Sequence, residues 1–158
     1  MKKSIQGALL AFSTLISIGA QANISGAYRI SSASQVVSTN GVTRCVWFLE
    51  QNVFGSVGDV LFVSLDNAGL TITQTTTFGG GASLPIGHSV QEPTGCCGGD
   101  EMEYTGKLTA KGASFFINDI STPSSESVQL DATNPEAIVL LTSFGGQSPS
   151  TCRLDKVN

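Results

Sequence analysis

The stretch MEYTGKLTAKGASFFINDI, residues 102–120, decides the fold class of this chain. Met102, Tyr104 and Leu108 alternate with Glu103, Thr105, Lys107 and Thr109, so an extended backbone through them has one apolar face and one wet face. Lys111-Gly112 then supplies a turn, and residues 113–120 return as a second β-rich run. Two such runs on so short a connection make an antiparallel hairpin, buried on one side and solvated on the other.

Working outward, alternation and turn chemistry recur while long helical periodicity does not. Toward the N-terminus, Ile24, Tyr28 and Ile30 share one face of a run over residues 24–30. Residues 35–39 and 42–51 flank Asn40-Gly41, a pair that tolerates the positive φ of a two-residue hairpin turn. Cys45, Trp47 and Leu49 occupy one face of the second of these runs and Val46 and Phe48 the other, which predicts a central strand or one covered on both sides. Residues 60–65 and 70–77 are joined by Asp66-Asn67-Ala68-Gly69; Leu70 and Ile72 face inward, and Gln74 and Thr76 make the inward far end polar. Toward the C-terminus, residues 127–131 and 137–144 flank Asn134-Pro135, and residues 151–157 form a last strand. The pattern predicts an all-β fold, an antiparallel up-and-down meander of eight or nine strands closed as a barrel, with a β-sandwich as the alternative. Residues 78–100, which bear several Gly and Pro, are expected to form one long loop.

Residues 1–22 carry the features of a secretion signal: Lys2 and Lys3, an apolar run over 7–18, and the cleavage pattern Ala20-Gln21-Ala22. That run is too short and too interrupted to span a bilayer. Cleavage near Ala22 would leave residues 23–158 as a single all-β domain, periplasmic or secreted, in an oxidising setting. Eight basic and twelve acidic residues give the chain a charge of −4, and loss of Lys2 and Lys3 takes that to −6. So acidic a balance argues against nucleic acid, which needs a basic stripe, and against anionic headgroups. Membrane insertion as a barrel is disfavoured as well, because the strands lack aromatic girdles and an outward apolar band.

Four cysteines, Cys45, Cys96, Cys97 and Cys152, allow three disulfide pairings. A bridge between adjacent Cys96 and Cys97 needs a strained eight-membered ring and is the least favoured. The other two pairings each pin the 78–100 loop to strands at opposite ends of the chain. Cys96, Cys97 and His88, with Asp100 nearby, offer soft ligands for copper or zinc, but their spacing matches no zinc-site pattern and thiols in an oxidising compartment pair with one another.

His88 is the lone histidine, and no nucleophile elbow surrounds it, so a solvated loop residue is expected rather than a catalytic base. Asp100, Glu101 and Glu103 follow a glycine pair without forming a calcium loop, and read as a charged edge that discourages strand-to-strand aggregation. No enzyme activity, cofactor or metal is expected.

Gly26-Ala27-Tyr28 on the first strand, together with Arg153 on the last, resembles the calycin superfamily of lipocalin- and avidin-like barrels. Those proteins carry Gly-x-Trp on the first strand, where this chain has Tyr28, and a basic residue near the end that packs across it. The resemblance implies a closed barrel around a small, largely apolar ligand, with Tyr28 and Arg153 closing its floor. Trp47, Phe62, Tyr104 and Phe115 are then the residues expected to line the interior. Two functions follow as expectations. One is an exported binding protein whose barrel holds such a ligand under the 78–100 loop. The alternative is a protein–protein interaction module, such as an exported enzyme inhibitor or an envelope structural component, contacting its partner through that loop.

Overall fold

A computed structural model of the chain describes residues 24–36, 43–46, 53–75, 81–91, 101–122, 124–145 and 149–158. Residues 1–22, Asn40-Gly41, Trp47, Cys96, Cys97 and Asp100 lie outside the described residues. Among those described there is no helix. They form thirteen strands, in order β1 (Ile24–Ala33), β2 (Gln35–Val36), β3 (Thr43–Val46), β4 (Val53–Ser56), β5 (Val60–Leu65), β6 (Gly69–Gln74), β7 (Gly81–Pro85), β8 (Gly87–Gln91), β9 (Met102–Thr109), β10 (Gly112–Asp119), β11 (Ser124–Asp131), β12 (Ala137–Phe144) and β13 (Ser150–Lys156).

Ten of these form one antiparallel sheet in the order β7-β6-β5-β1-β13-β12-β11-β10-β9-β8. Every neighbour is a chain neighbour except where β1 joins β13 on one side and β5 on the other, so the meander curls round and its last strand meets its first. The hairpin of residues 102–120 is β9 and β10, paired from Gly112↔Thr109 to Asp119↔Met102, with Ala110-Lys111 as its two-residue loop. Polar caps define the other turns. Asp66 Oδ1 accepts from the amides of Ala68 and Gly69, and Asn134 Oδ1 accepts from Glu136 N, because short carboxyl and amide side chains satisfy the turn backbone locally.

The two edges of the sheet belong to one continuous piece of chain. β7 pairs with β6, the backbone bends at Ile86, Gly87 adopts φ +95°, and β8 continues alongside β9. Two glycines make this seam possible. Gly87 takes a left-handed conformation that an L side chain resists. Gly106 on β9 lies so close to the end of β7 that an added Cβ would stand 2.1 Å from the Pro85 carbonyl oxygen and 2.8 Å from the Phe115 ring. The barrel is nearly closed. Residues 81–91 are thus wall, not loop, a correction to the expected 78–100 excursion; Ala82 and Leu84 alternate inward with Gly81 and Ser83 outward, and Pro85 is tolerated because it ends an edge strand.

Alternation decides which way each side chain points. Tyr28, Ile30, Leu61, Val63, Leu70, Ile72, Ile138, Leu140 and Leu154 are sealed inside, while Arg29, Thr71, Thr73, Thr105, Lys107, Gln129 and Arg153 face water. Apolar-in and polar-out is the reverse of a lipid-facing barrel. β2, β3 and β4 form a separate three-stranded sheet inserted between β1 and β5. The predicted hairpin of β2 and β3 pairs Gln35↔Arg44 and Val36↔Thr43. The strand expected over 42–51, central or doubly covered, is β3, the central strand of this small sheet: Thr43–Val46 pairs with β2 on one side and with Val53–Ser56 on the other, and residues 47–52 lie outside the described ones.

Candidate functional site

The barrel has two unlike ends. At one, which we call the floor, lie the 66–69, 110–111 and 132–136 turns, and the Tyr28 hydroxyl donates to Pro135 O at 2.9 Å. Lys156 reaches Glu136 at 3.4 Å beside it. Burial pushes the Tyr28 phenol above its ordinary value, so it remains a neutral donor. At the other end, the mouth, β1 exits and β13 enters, tied by Ser34 N to Thr151 O and Thr151 N to Ser34 Oγ, each 2.8 Å. A bulge between Ile30 and Ser32 on β1 breaks the register with β13 there and turns the chain toward the small sheet.

That small sheet folds back over the mouth. β3 lies against β1 and β13, and β4 against β5 and β6. Gly55 on β4 is buried against Ile30, whose Cδ1 would stand 3.0 Å from an added Cβ. A disulfide joins Cys45 on β3 to Cys152 on the inward face of β13. This pairing corrects both favoured arrangements, each of which tied Cys45 and Cys152 to the 96–97 pair. The cause is the closure of β1 on β13, which brings residues 107 positions apart to a Cα separation of 5.7 Å.

Just inside the mouth the apolar lining gives way to polar side chains. Glu126 on β11 is 1% exposed, and Thr142 on β12 and Ser150 on β13 are buried as directly paired neighbours. Ser89 on β8 faces Tyr104 on β9, with its hydroxyl oxygen out of contact with solvent. Neither Ser89 Oγ nor Ser150 Oγ finds a hydrogen-bond partner. Asp119, buried at the same level, is occupied differently: the Thr122 hydroxyl and the amides of Thr122 and Ser121 donate to it, holding its carboxyl below the ordinary range.

Of the residues expected to line the interior, Tyr104 and Phe115 do face inward and are buried. Phe62 does not: it stands on the outer face of β5, 53% exposed, because Leu61, Val63 and Leu65 take the inward positions. Trp47 lies outside the described residues. Tyr28 closes the floor as the resemblance implied, whereas Arg153 projects outward and pairs with Asp155 at 2.9 Å. His88 is on the outer wall, Nε2 2.8 Å from Glu103 Oε1, and this contact with Asn118 nearby keeps the Glu103 carboxyl below its usual range. So exposed a pair adds little to stability. Among the described residues no three His, Cys, Asp or Glu side chains converge as a metal site. Glu126, Ser89, Thr142 and Ser150 escaped the sequence reading; only Glu126 had left a signal, two residues before Val128 and four before Leu130 on the same parity.

No protein-family model matches this chain, and no curated protein matches it by sequence. Solved structures do match. A fatty acid-binding protein from brain tissue of Drosophila melanogaster superposes with a TM-score of 0.54 at 13% identity, over 84% of this chain and 98% of that one. The REP1-NXSQ fatty acid transporter and a point mutant of it match at TM-scores of 0.46 and 14% identity, over 84% of this chain and 95% and 96% of theirs. With the strand order described above, the first likeness shows the fold: a nearly closed antiparallel up-and-down barrel like that of the Drosophila protein.

Proposed function

We propose that this chain is an exported binding protein for a small, largely apolar molecule, taken in at the barrel mouth beneath the β2–β4 cap. The observation that carries this reading is the capped mouth itself: an apolar interior sealed by Tyr28 at the floor, with buried polar groups collected at the opposite end under a covalently anchored cover. Ligand pockets combine apolar lining with a few placed polar groups in this way, and the mouths of barrels are a preferred place for them. The Drosophila neighbour, named for fatty acid binding, supports the reading by analogy of fold. In this reading the ligand lies in the upper rungs, around Tyr104 and Phe115 and away from the Tyr28 floor. Export rests on residues 1–22 and is supported by the Cys45–Cys152 bond, since such bonds persist outside the reducing cytosol. The alternative of a protein contact through residues 78–100 is less favoured, because residues 81–91 are committed to the barrel wall.

Native mass spectrometry of the mature protein from its exporting host tests this. The expected result is an added mass lost on denaturation. A bare chain that, once stripped, also fails to bind the apolar dye ANS saturably would defeat the reading.

A further inference from the structure

We infer that β8, residues 87–91, is the gate of the barrel: it swings away from β9 on a hinge at Gly87 and admits the ligand to the upper rungs. This rests on the ligand-binding reading above and concerns the route to that site. Among the described residues, β8 is the one strand of the ten-stranded sheet that contributes no side chain to the sealed core. β7 before it is anchored by Ala82 and Leu84, and β9 after it by Tyr104. Gly87, His88, Val90 and Gln91 are exposed, and Ser89, which points inward, has a hydroxyl without a hydrogen-bond partner. Moving β8 outward therefore uncovers little apolar surface of its own and breaks no Ser89 bond inside the barrel.

The backbone leaves β8 free on one side. It pairs with β9 from Gly87↔Gly106 to Gln91↔Met102, but no ladder joins it to β7 across the seam. Its lower end has a fixed point and a hinge. Ile86 is held, since its amide donates to Ala68 O at 2.9 Å and its side chain packs on the core. Gly87 follows at φ +95° with nothing within 4 Å of an added Cβ, so it has both the room and the conformational freedom to turn. On the outer face the His88–Glu103 contact at 2.8 Å holds β8 to β9, and so exposed a contact is weak. The cap, by contrast, is the fixed side of the mouth. It rests on β1, β13, β5 and β6, and Cys45–Cys152 ties it to β13. β8 stands five places from β13 in the sheet order, on the far side of the barrel, with Tyr104 on β9 and Phe115 on β10 next to it. With the floor closed by Tyr28 and the cap bonded in place, the unanchored strand is the part of the wall that yields most readily.

A latch across β8 and β9 tests the gate. His88 and Thr105 are directly paired on the outer wall, away from the proposed site. Such partners have Cβ atoms about 4.5–5.5 Å apart, close to the reach of a disulfide. In the mature, delipidated protein the double variant His88→Cys, Thr105→Cys, its new bond confirmed by intact mass, is compared with His88→Ser, Thr105→Ser by stopped-flow binding of ANS. The expected result is that association and release both slow by at least about tenfold with Kd unchanged, because a latch raises the barrier without altering the bound state. Equal rates in latched and unlatched protein overturn the gate and leave the site standing. Absence of saturable ANS binding in the wild-type protein overturns the site as well. Should the latch not form, hydrogen exchange of the ligand-free protein decides. The β8 amides bonded to β9 are expected to exchange at least about tenfold faster than those joining β1 to β13, and equal protection overturns the gate.

Discussion

The hydroxyl of Tyr28 on the first strand donates to the carbonyl of Pro135, 107 residues away, across the end of the barrel opposite the cap. One bond thereby links the β1 wall to the β11–β12 turn and makes a floor. Tyr28→Phe removes it while keeping the ring, and the exposed Pro135 carbonyl can turn to water. The expected cost is about 1 kcal/mol, or a fall in Tm of about 2–4 °C by thermal melting. Tyr28→Ala, which also empties a fully buried ring site, is expected to cost about 3–5 kcal/mol.

The cap depends on Cys45–Cys152. Opening that bond restores freedom to a loop spanning 107 residues, for which the chain-entropy account gives a loss of about 4–5 kcal/mol. The double variant Cys45→Ser, Cys152→Ser is therefore expected to unfold at distinctly lower urea concentration. If the cap covers the ligand, bound ANS should also leave faster from this variant in stopped-flow release. An unchanged release rate alongside lowered stability would make the bond purely structural.

Phe115 and Phe116 are adjacent in sequence and opposite in fate: one is 3% exposed and packs on Gly106, the other is 50% exposed on the outer wall. Phe115→Ala is expected to cost about 3–5 kcal/mol, and Phe116→Ala no more than about 0.5–1 kcal/mol. Equal losses, measured by chemical denaturation, would contradict the alternation of β10.

Acid should act on the β10–β11 turn. Hydrogen bonds from Thr122 and Ser121 place the folded-state pKa of Asp119 below its ordinary 3.8. A depressed carboxyl pKa contributes stability that is complete above the unfolded value and is lost as pH falls through the folded one. As pH falls below the ordinary 3.8 the wild-type melting temperature should drop, and Asp119→Asn should be less stable at neutral pH yet show a shallower drop. Asp131, held low in the same sense by Thr133, contributes in the same window.

Where alternation was strict, the sequence was a sufficient guide. Residues 102–109, the polar turn at residues 66–69 and the inward pair Leu70 and Ile72 all stand where their spacing placed them. Where both parities were apolar it was not. In Val60-Leu61-Phe62-Val63 either set of side chains could have turned inward, and only pairing with residues 26–29 of β1 and with β6 sent Phe62 out. In Gly81–Pro85 the alternation was present but hidden by residues that ordinarily mark a loop.

By itself the sequence determined the class of fold, because a period of two and local turn chemistry are properties of neighbouring residues. The tertiary structure alone decided that Cys45 would meet Cys152, that Arg153 would point to water and that Thr142 and Ser150 would pair beside the buried Glu126. Each of these depends on how far strands slide and which edges meet when β1 closes on β13, and such long-range register leaves no periodic mark along the chain.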